Sequence, residues 1–107
     1  MTPDPPDRPV LLAFVGHAGA ERAAAATAYE DAVLPLLADH GGQVRFRGRR
    51  VEGEDPDRPL EVHLLWFPSR AAYVGFLDDP GRAALLAEHG EVFREELVVE
   101  LEDVTAR

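Results

Sequence analysis

"VHLLWFPSRAAYVGFLDDP", residues 62–80, decides the fold because two periodicities meet inside it. Up to Phe67 the segment "LEVHLLWF" (60–67) is apolar on both faces apart from Glu61 and His63, the pattern of a strand buried on both sides. Pro68 forces Phe67 into an extended conformation, and Ser69 stands where a helix N-cap belongs. Ala72, Tyr73, Phe76 and Leu77 then fall on one helical side. "DDPG" (78–81) breaks that helix, and a second short helix is predicted from Gly81 to His89.

Working outward, "VLLAFV" (10–15), bounded by Pro9 and Gly16, reads as another doubly buried strand. Ala20 to His40 is helical in period, with Ala25, Ala26, Tyr29, Val33, Leu36 and Leu37 on the apolar stripe. Glu21, Glu30, Asp31 and Asp39 lie off it. Pro35 predicts a kink, since its nitrogen has no hydrogen for the carbonyl of Asp31, and Gly41-Gly42 ends the helix. "QVRFRGRRVE" (43–52) alternates, which predicts a half-exposed strand with Val44 and Phe46 on one face and Arg45, Arg47 and Arg49 on the other. After "GEDPDRP" turns the chain and residues 60–89 follow, "ELVVELEDV" (96–104) sets Leu97, Val99 and Leu101 against Glu100 and Glu102.

The order is β-α-β-β-α-β, an α+β ferredoxin-like arrangement: a four-stranded antiparallel sheet with helices on one face. "LLADHG" (36–41) and "LLAEHG" (85–90) close the helices of the two halves, an internal echo of that order. His40 and His89 both precede a glycine there, where they are expected to meet the C-terminal carbonyls and dipole. The first and third strands, central in this topology, are the doubly apolar ones. Helices can cover only one face of the sheet, so the other is expected to pair with a second copy in a two-fold homodimer, with the Arg-rich second and Glu-rich fourth strands meeting across it.

Composition removes whole classes of function. The 107 residues carry 11 arginines, no lysine and 20 acidic residues, a net charge of −9, which disfavours nucleic acid, and no basic amphipathic stretch offers a membrane surface. Without cysteine there is no disulfide or thiolate chemistry, and without lysine no Schiff base. The absence of cysteine suits a reducing cytoplasm, and the bias toward Ala, Arg, Gly and Pro points to a GC-rich bacterial genome. Residues 1–9, "MTPDPPDRP", read as a disordered or extended leader before a single domain over 10–107, with no signal peptide or membrane span.

The spacing "Y....V.PLLADHGGQVRFRG", the "VEGED" after it and "FPSRAAYVGFLDDP" resemble a bacterial family of unknown function within the dimeric α/β-barrel superfamily, over roughly residues 10–102. Gly41-Gly42, Arg47-Gly48, Glu52-Gly53 and Phe67-Pro68-Ser69 match its pattern. The resemblance implies a ferredoxin-like protomer whose sheet pairs with its partner's, with a pocket between sheet and helices. Relatives in the superfamily include cofactor-independent antibiotic-biosynthesis monooxygenases, muconolactone isomerase, haem-degrading enzymes and EthD-like proteins. The monooxygenases typically carry a histidine on the helix after the third strand; this chain has Tyr73 and Phe76 there, which argues against that activity.

The candidate site follows from these placements. His63, mid-strand in an apolar run, is either a base poised near neutrality or a core histidine satisfied by a partner such as Glu61 on the same face. Trp66 alternates away from it. Tyr29 and Tyr73, on the inward stripes of the two main helices, either polarise a ligand's carbonyl or phenol or pack as core with their hydroxyls at the rim. Arg47 is read either as an anion-binding group or as part of an arginine ladder on an edge strand; Phe76 lines the pocket and His17 stands at its mouth. Ser69 is the only serine and its cap role accounts for it. No phosphate loop, nucleophile elbow or metal-ligand spacing is present, so no cofactor and no metal are expected.

The expectation is therefore a homodimeric protein that binds a small apolar or aromatic molecule between sheet and helices. The chemistry considered is a cofactor-independent isomerisation, cyclisation or oxygenation in secondary metabolism. Against it stands a non-catalytic binding or accessory protein whose pocket is filled by its own side chains.

Overall fold

A computed structural model describes residues 8–51, 55 and 57–105. The elements are β1 (Val10–His17), α1 (Ala23–Val33), a 3-10 segment (Leu34–His40), β2 (Gln43–Arg49), β3 (Glu61–Phe67), α2 (Arg70–Leu77), α3 (Pro80–His89) and β4 (Glu95–Leu101). The sheet runs β2-β3-β1-β4 with every neighbour antiparallel, so the doubly apolar strands are central, as their composition requires. The fold is ferredoxin-like. Most of the expected leader, and Glu52-Gly53 of the family pattern, lie outside the described residues.

The corner at 67–70 forms as the sequence predicts. Ser69 is extended and its Oγ accepts a hydrogen bond from the Ala72 amide at 3.0 Å, which starts α2. Asp79 does the same for α3 through the Gly81 amide at 2.7 Å.

The long first helix differs from its expected form. α1 stops at Val33, and Pro35 sits in the first turn of a tighter 3-10 segment that continues to His40. A proline that cannot donate to the Asp31 carbonyl is accommodated here by rewinding rather than by a kink. Gly41 ends the segment at φ 73°, a left-handed conformation that glycine adopts without strain. His40 bonds Asp79 through Nε2 at 2.7 Å rather than a terminal carbonyl, tying this end to the start of α3, and His89 sets its ring against Tyr29.

A second difference lies in β2. The register to β3 shifts between Val44 and Phe46, a bulge centred on Arg45. Val44 therefore joins Arg47 and Arg49 on the helix side, opposite Leu65, His63 and Glu61, while Phe46 faces away opposite Leu64. Arg45 lies over the Trp66 ring, 5.0 Å from its centroid, on that other face.

The core lies between sheet and helices, built around Leu12, Ala26, Val33, Leu37, Leu65, Phe67 and Phe76. The opposite face carries Leu11, Ala13, Val15, Phe46, Leu64, Trp66, Leu97, Val99 and Leu101, with Phe46 54 % and Leu97 58 % exposed. That face is apolar. Of the residues expected to meet across it, Arg47, Arg49, Glu96 and Glu100 point to the helix side, where Glu100 pairs with Arg70, and Arg45 and Glu95 lie on the open face. No helix among the described residues is long and apolar enough to cross a membrane.

Candidate functional site

Alternation along β3 sends Glu61, His63, Leu65 and Phe67 toward the helices, and the first two form the centre of a buried polar network. Glu61, 0 % exposed, accepts from His63 Nε2 at 2.7 Å, from Arg47 Nε at 2.8 Å and Nη2 at 3.0 Å, and from Arg49 Nε at 3.1 Å. Burial alone would raise its pKa; the hydrogen bonds from His63, Arg47 and Arg49 outweigh it and hold the carboxyl at about 2. The bond to Glu61 likewise raises Arg47 above the ordinary arginine range.

An ionised carboxylate only accepts, so the His63 Nε2 facing it carries the hydrogen. The other ring nitrogen, Nδ1, then points at Glu30 Oε2, 4.0 Å away. Phe14 stacks on the imidazole at 4.7 Å and 17°, and Phe93 meets Phe14 edge-on, so the ring is clamped.

Glu30 comes from α1 and is 5 % exposed. Burial first, then the charge of Glu61, outweigh Arg47 and raise its pKa to about 8. Its carboxyl opens onto a cavity of about 110 Å³ between sheet and helices that Phe14, Tyr29, His63, Tyr73 and Phe76 also line. Burial raises the Tyr29 hydroxyl above its ordinary value. Tyr73 is held by Phe67, ring to ring at 5.3 Å. Arg82 and Glu96 border the same cavity, with the Arg82 guanidinium 5.5 Å above the Phe76 ring. At about 110 Å³ the cavity is smaller than the roughly 150 Å³ apolar cavity that admits benzene.

His63, Tyr29, Tyr73 and Phe76 thus converge, and Trp66 lies on the other face. Arg47 does not line the cavity: its guanidinium is held by Glu61 and by Asp31, Nη1 to Oδ1 at 2.8 Å. His17 pairs with Glu95 on the open side of the sheet, away from the cavity rather than at its mouth. Two site residues were missed. Polarity sets Glu30 among the solvent-side acids, yet it stands four residues after Ala26 and three before Val33; a carboxylate at that spacing on an apolar stripe is the available signal. Arg82 carried none, because only the fold brings α3 over the cavity. Among the described residues no group of three or more His, Asp or Glu is arranged to hold a metal ion.

No protein-family profile matches the chain, and no curated protein matches it. Solved structures do. It is similar to a candidate antibiotic biosynthesis monooxygenase from Bacteroides thetaiotaomicron, at 12 % identity over 94 % of this chain and 93 % of that one, TM-score 0.70. A Mesorhizobium loti protein of the dabb family with a ferredoxin-like fold matches at 15 % over 90 % and 97 %, TM-score 0.63. A dimeric protein of unknown function and ferredoxin-like fold from Bacteroides fragilis matches at 14 % over 89 % and 96 %, TM-score 0.62. Likeness at such identities establishes the architecture alone: the chain has the ferredoxin-like fold of these bacterial proteins.

Proposed function

We propose that this protein is a cytoplasmic homodimer that binds a small apolar or aromatic molecule in the cavity between sheet and helices and moves a proton on it without a cofactor. The observation that carries this reading is the convergence of His63, Glu30, Tyr29 and Tyr73 on one cavity, with Glu30 unpaired by any hydrogen bond among the described residues. In the reaction, His63 Nδ1 takes a proton from a carbon next to a carbonyl; the C–H pair moves toward the carbonyl oxygen, and protonated Glu30 donates a hydrogen bond to that oxygen. Return of the proton to another carbon gives an isomer, so atoms and charge balance. Glu61 orients the imidazole and the tyrosines position the ring. Dimerisation is supported by the uncovered apolar sheet face and by the Bacteroides fragilis protein described as dimeric.

The small volume favours a second reading, a non-catalytic protein whose core is closed by its own side chains. Thermal shifts with phenol, benzaldehyde and cyclohexane-1,3-dione on wild type and His63→Ala, with proton exchange from D2O into the dione read by NMR, decide between them. The catalytic reading expects stabilisation and exchange with wild type and loss of exchange in the variant. A ligand that stabilises both proteins equally removes His63 from the site, and no shift with any probe supports the closed core.

A further inference from the structure

We infer that the ligand is a straight-chain aliphatic carbonyl compound, its carbonyl head between Glu30 and His63 and its alkyl chain leaving between α2 and β4 across Phe14 and Val98. This rests on the cavity being a ligand site, as proposed above, and extends it to a substrate class.

A row of side chains on the helix side of the sheet carries the inference. His63 of β3 is the cross-strand partner of Phe14 in β1, and Phe14 is in turn the partner of Val98 in β4. Neighbouring strands lie about 4.8 Å apart, so the row runs about 10 Å across the sheet. Burial falls along it: His63 is 1 % exposed, Phe14 half-buried and Val98 51 % exposed. All three line the same cavity, and so does Leu77 of α2, itself 38 % exposed. The cavity is thus one continuous space, polar at its buried end and apolar where it opens.

The buried end fits a carbonyl head. His63 Nδ1 and Glu30 Oε2 are 4.0 Å apart, too far to hydrogen-bond each other. The oxygen of a carbonyl and the carbon next to it are separated by two bonds, so one head group faces both side chains at once.

The open end fits a chain. With a volume of about 110 Å³, below that of a cavity that admits benzene, the space favours a chain one methylene wide over a ring. Arg82 and Glu96 border it with opposite charges, which favours a neutral chain over an ion. β4 is exposed along its whole length, so no helix closes the opening over Val98, and the dimer proposed above uses the opposite face of the sheet.

Calorimetric titration of the whole protein with 2-butanone, 2-hexanone, 2-octanone and acetophenone tests this. A fully buried methylene gives about fourfold in affinity and a half-covered one about twofold, so 2-octanone is expected to bind about sixteenfold tighter than 2-butanone, with 2-hexanone between them. Acetophenone, with the same head and as many carbons as 2-octanone, should bind more weakly than 2-octanone. Val98→Asp, at an exposed strand position, and Leu77→Ser, at an exposed helix position, should each flatten the dependence on chain length, and either variant suffices if the other fails to fold. Equal affinities along the series, acetophenone binding tighter than 2-octanone, or an unchanged dependence in a folded variant overturns the chain site while leaving the cavity standing. Failure of every ketone to bind removes both.

Discussion

Glu61 Oε1 lies 2.7 Å from His63 Nε2, across two residues of the same strand face, and both side chains are buried beneath α1. Two polar residues in a central, doubly apolar strand are tolerated because each satisfies the other and Arg47 and Arg49 close the remaining acceptor positions.

Removing the acceptor should therefore be more damaging than its single position suggests. Glu61→Gln leaves Arg47 and Arg49 without their shared anion and is expected to destabilise the fold by about 3 kcal/mol, read from urea unfolding. Glu61→Gln as stable as wild type would mean that the network holds nothing together.

The two buried carboxyls should shape stability against pH in opposite ways. Glu61, depressed from 4.5 to about 2, contributes stability that is complete above 4.5 and is lost as pH falls from there toward 2. Glu30, raised from 4.5 to about 8, holds its proton in the fold where the unfolded chain releases it, so its contribution is complete below 4.5 and is lost as pH rises toward 8. Melting temperatures from pH 5 to 9 should fall for wild type, and Glu30→Gln should flatten that slope and be the more stable protein at pH 8. Parallel curves for the two proteins would contradict the burial of the Glu30 carboxyl.

Ser69→Ala tests the corner between β3 and α2. Loss of the bond to the Ala72 amide should cost about 1 kcal/mol and lower the melting temperature, while ligand shifts remain. An unchanged melting temperature would mean that Pro68 alone sets the handover.

The open sheet face gives a prediction about assembly. Sedimentation should find a dimer for wild type and a folded monomer for Leu97→Asp, since one charge at a position 58 % exposed in the protomer disturbs only a covered face. A monomeric wild type would leave that apolar surface without its proposed partner.

The fold was legible at 62–80 because proline, a serine cap and a change of period coincide there, and the β-α-β-β-α-β order and the central strands followed. The face assignment in β2 was not, because a bulge inserts one residue without any mark in the alternation of Val44, Arg45 and Phe46. Glu30 escaped because polarity was read as exposure, whereas the cavity supplies a place for a carboxyl on an apolar stripe. Arg47 carried the right chemistry, bidentate recognition of a carboxylate, but its carboxylate is Glu61 of the same chain.

The most direct test of the central claim, a buried acid facing a ligand cavity beside His63, is the carbon-13 NMR titration of the Glu30 side-chain carboxyl with and without phenol. The account predicts a midpoint near 8 in the free protein and a resonance that moves when phenol is added. A midpoint in the ordinary range near 4.5, with no response to phenol, would contradict it.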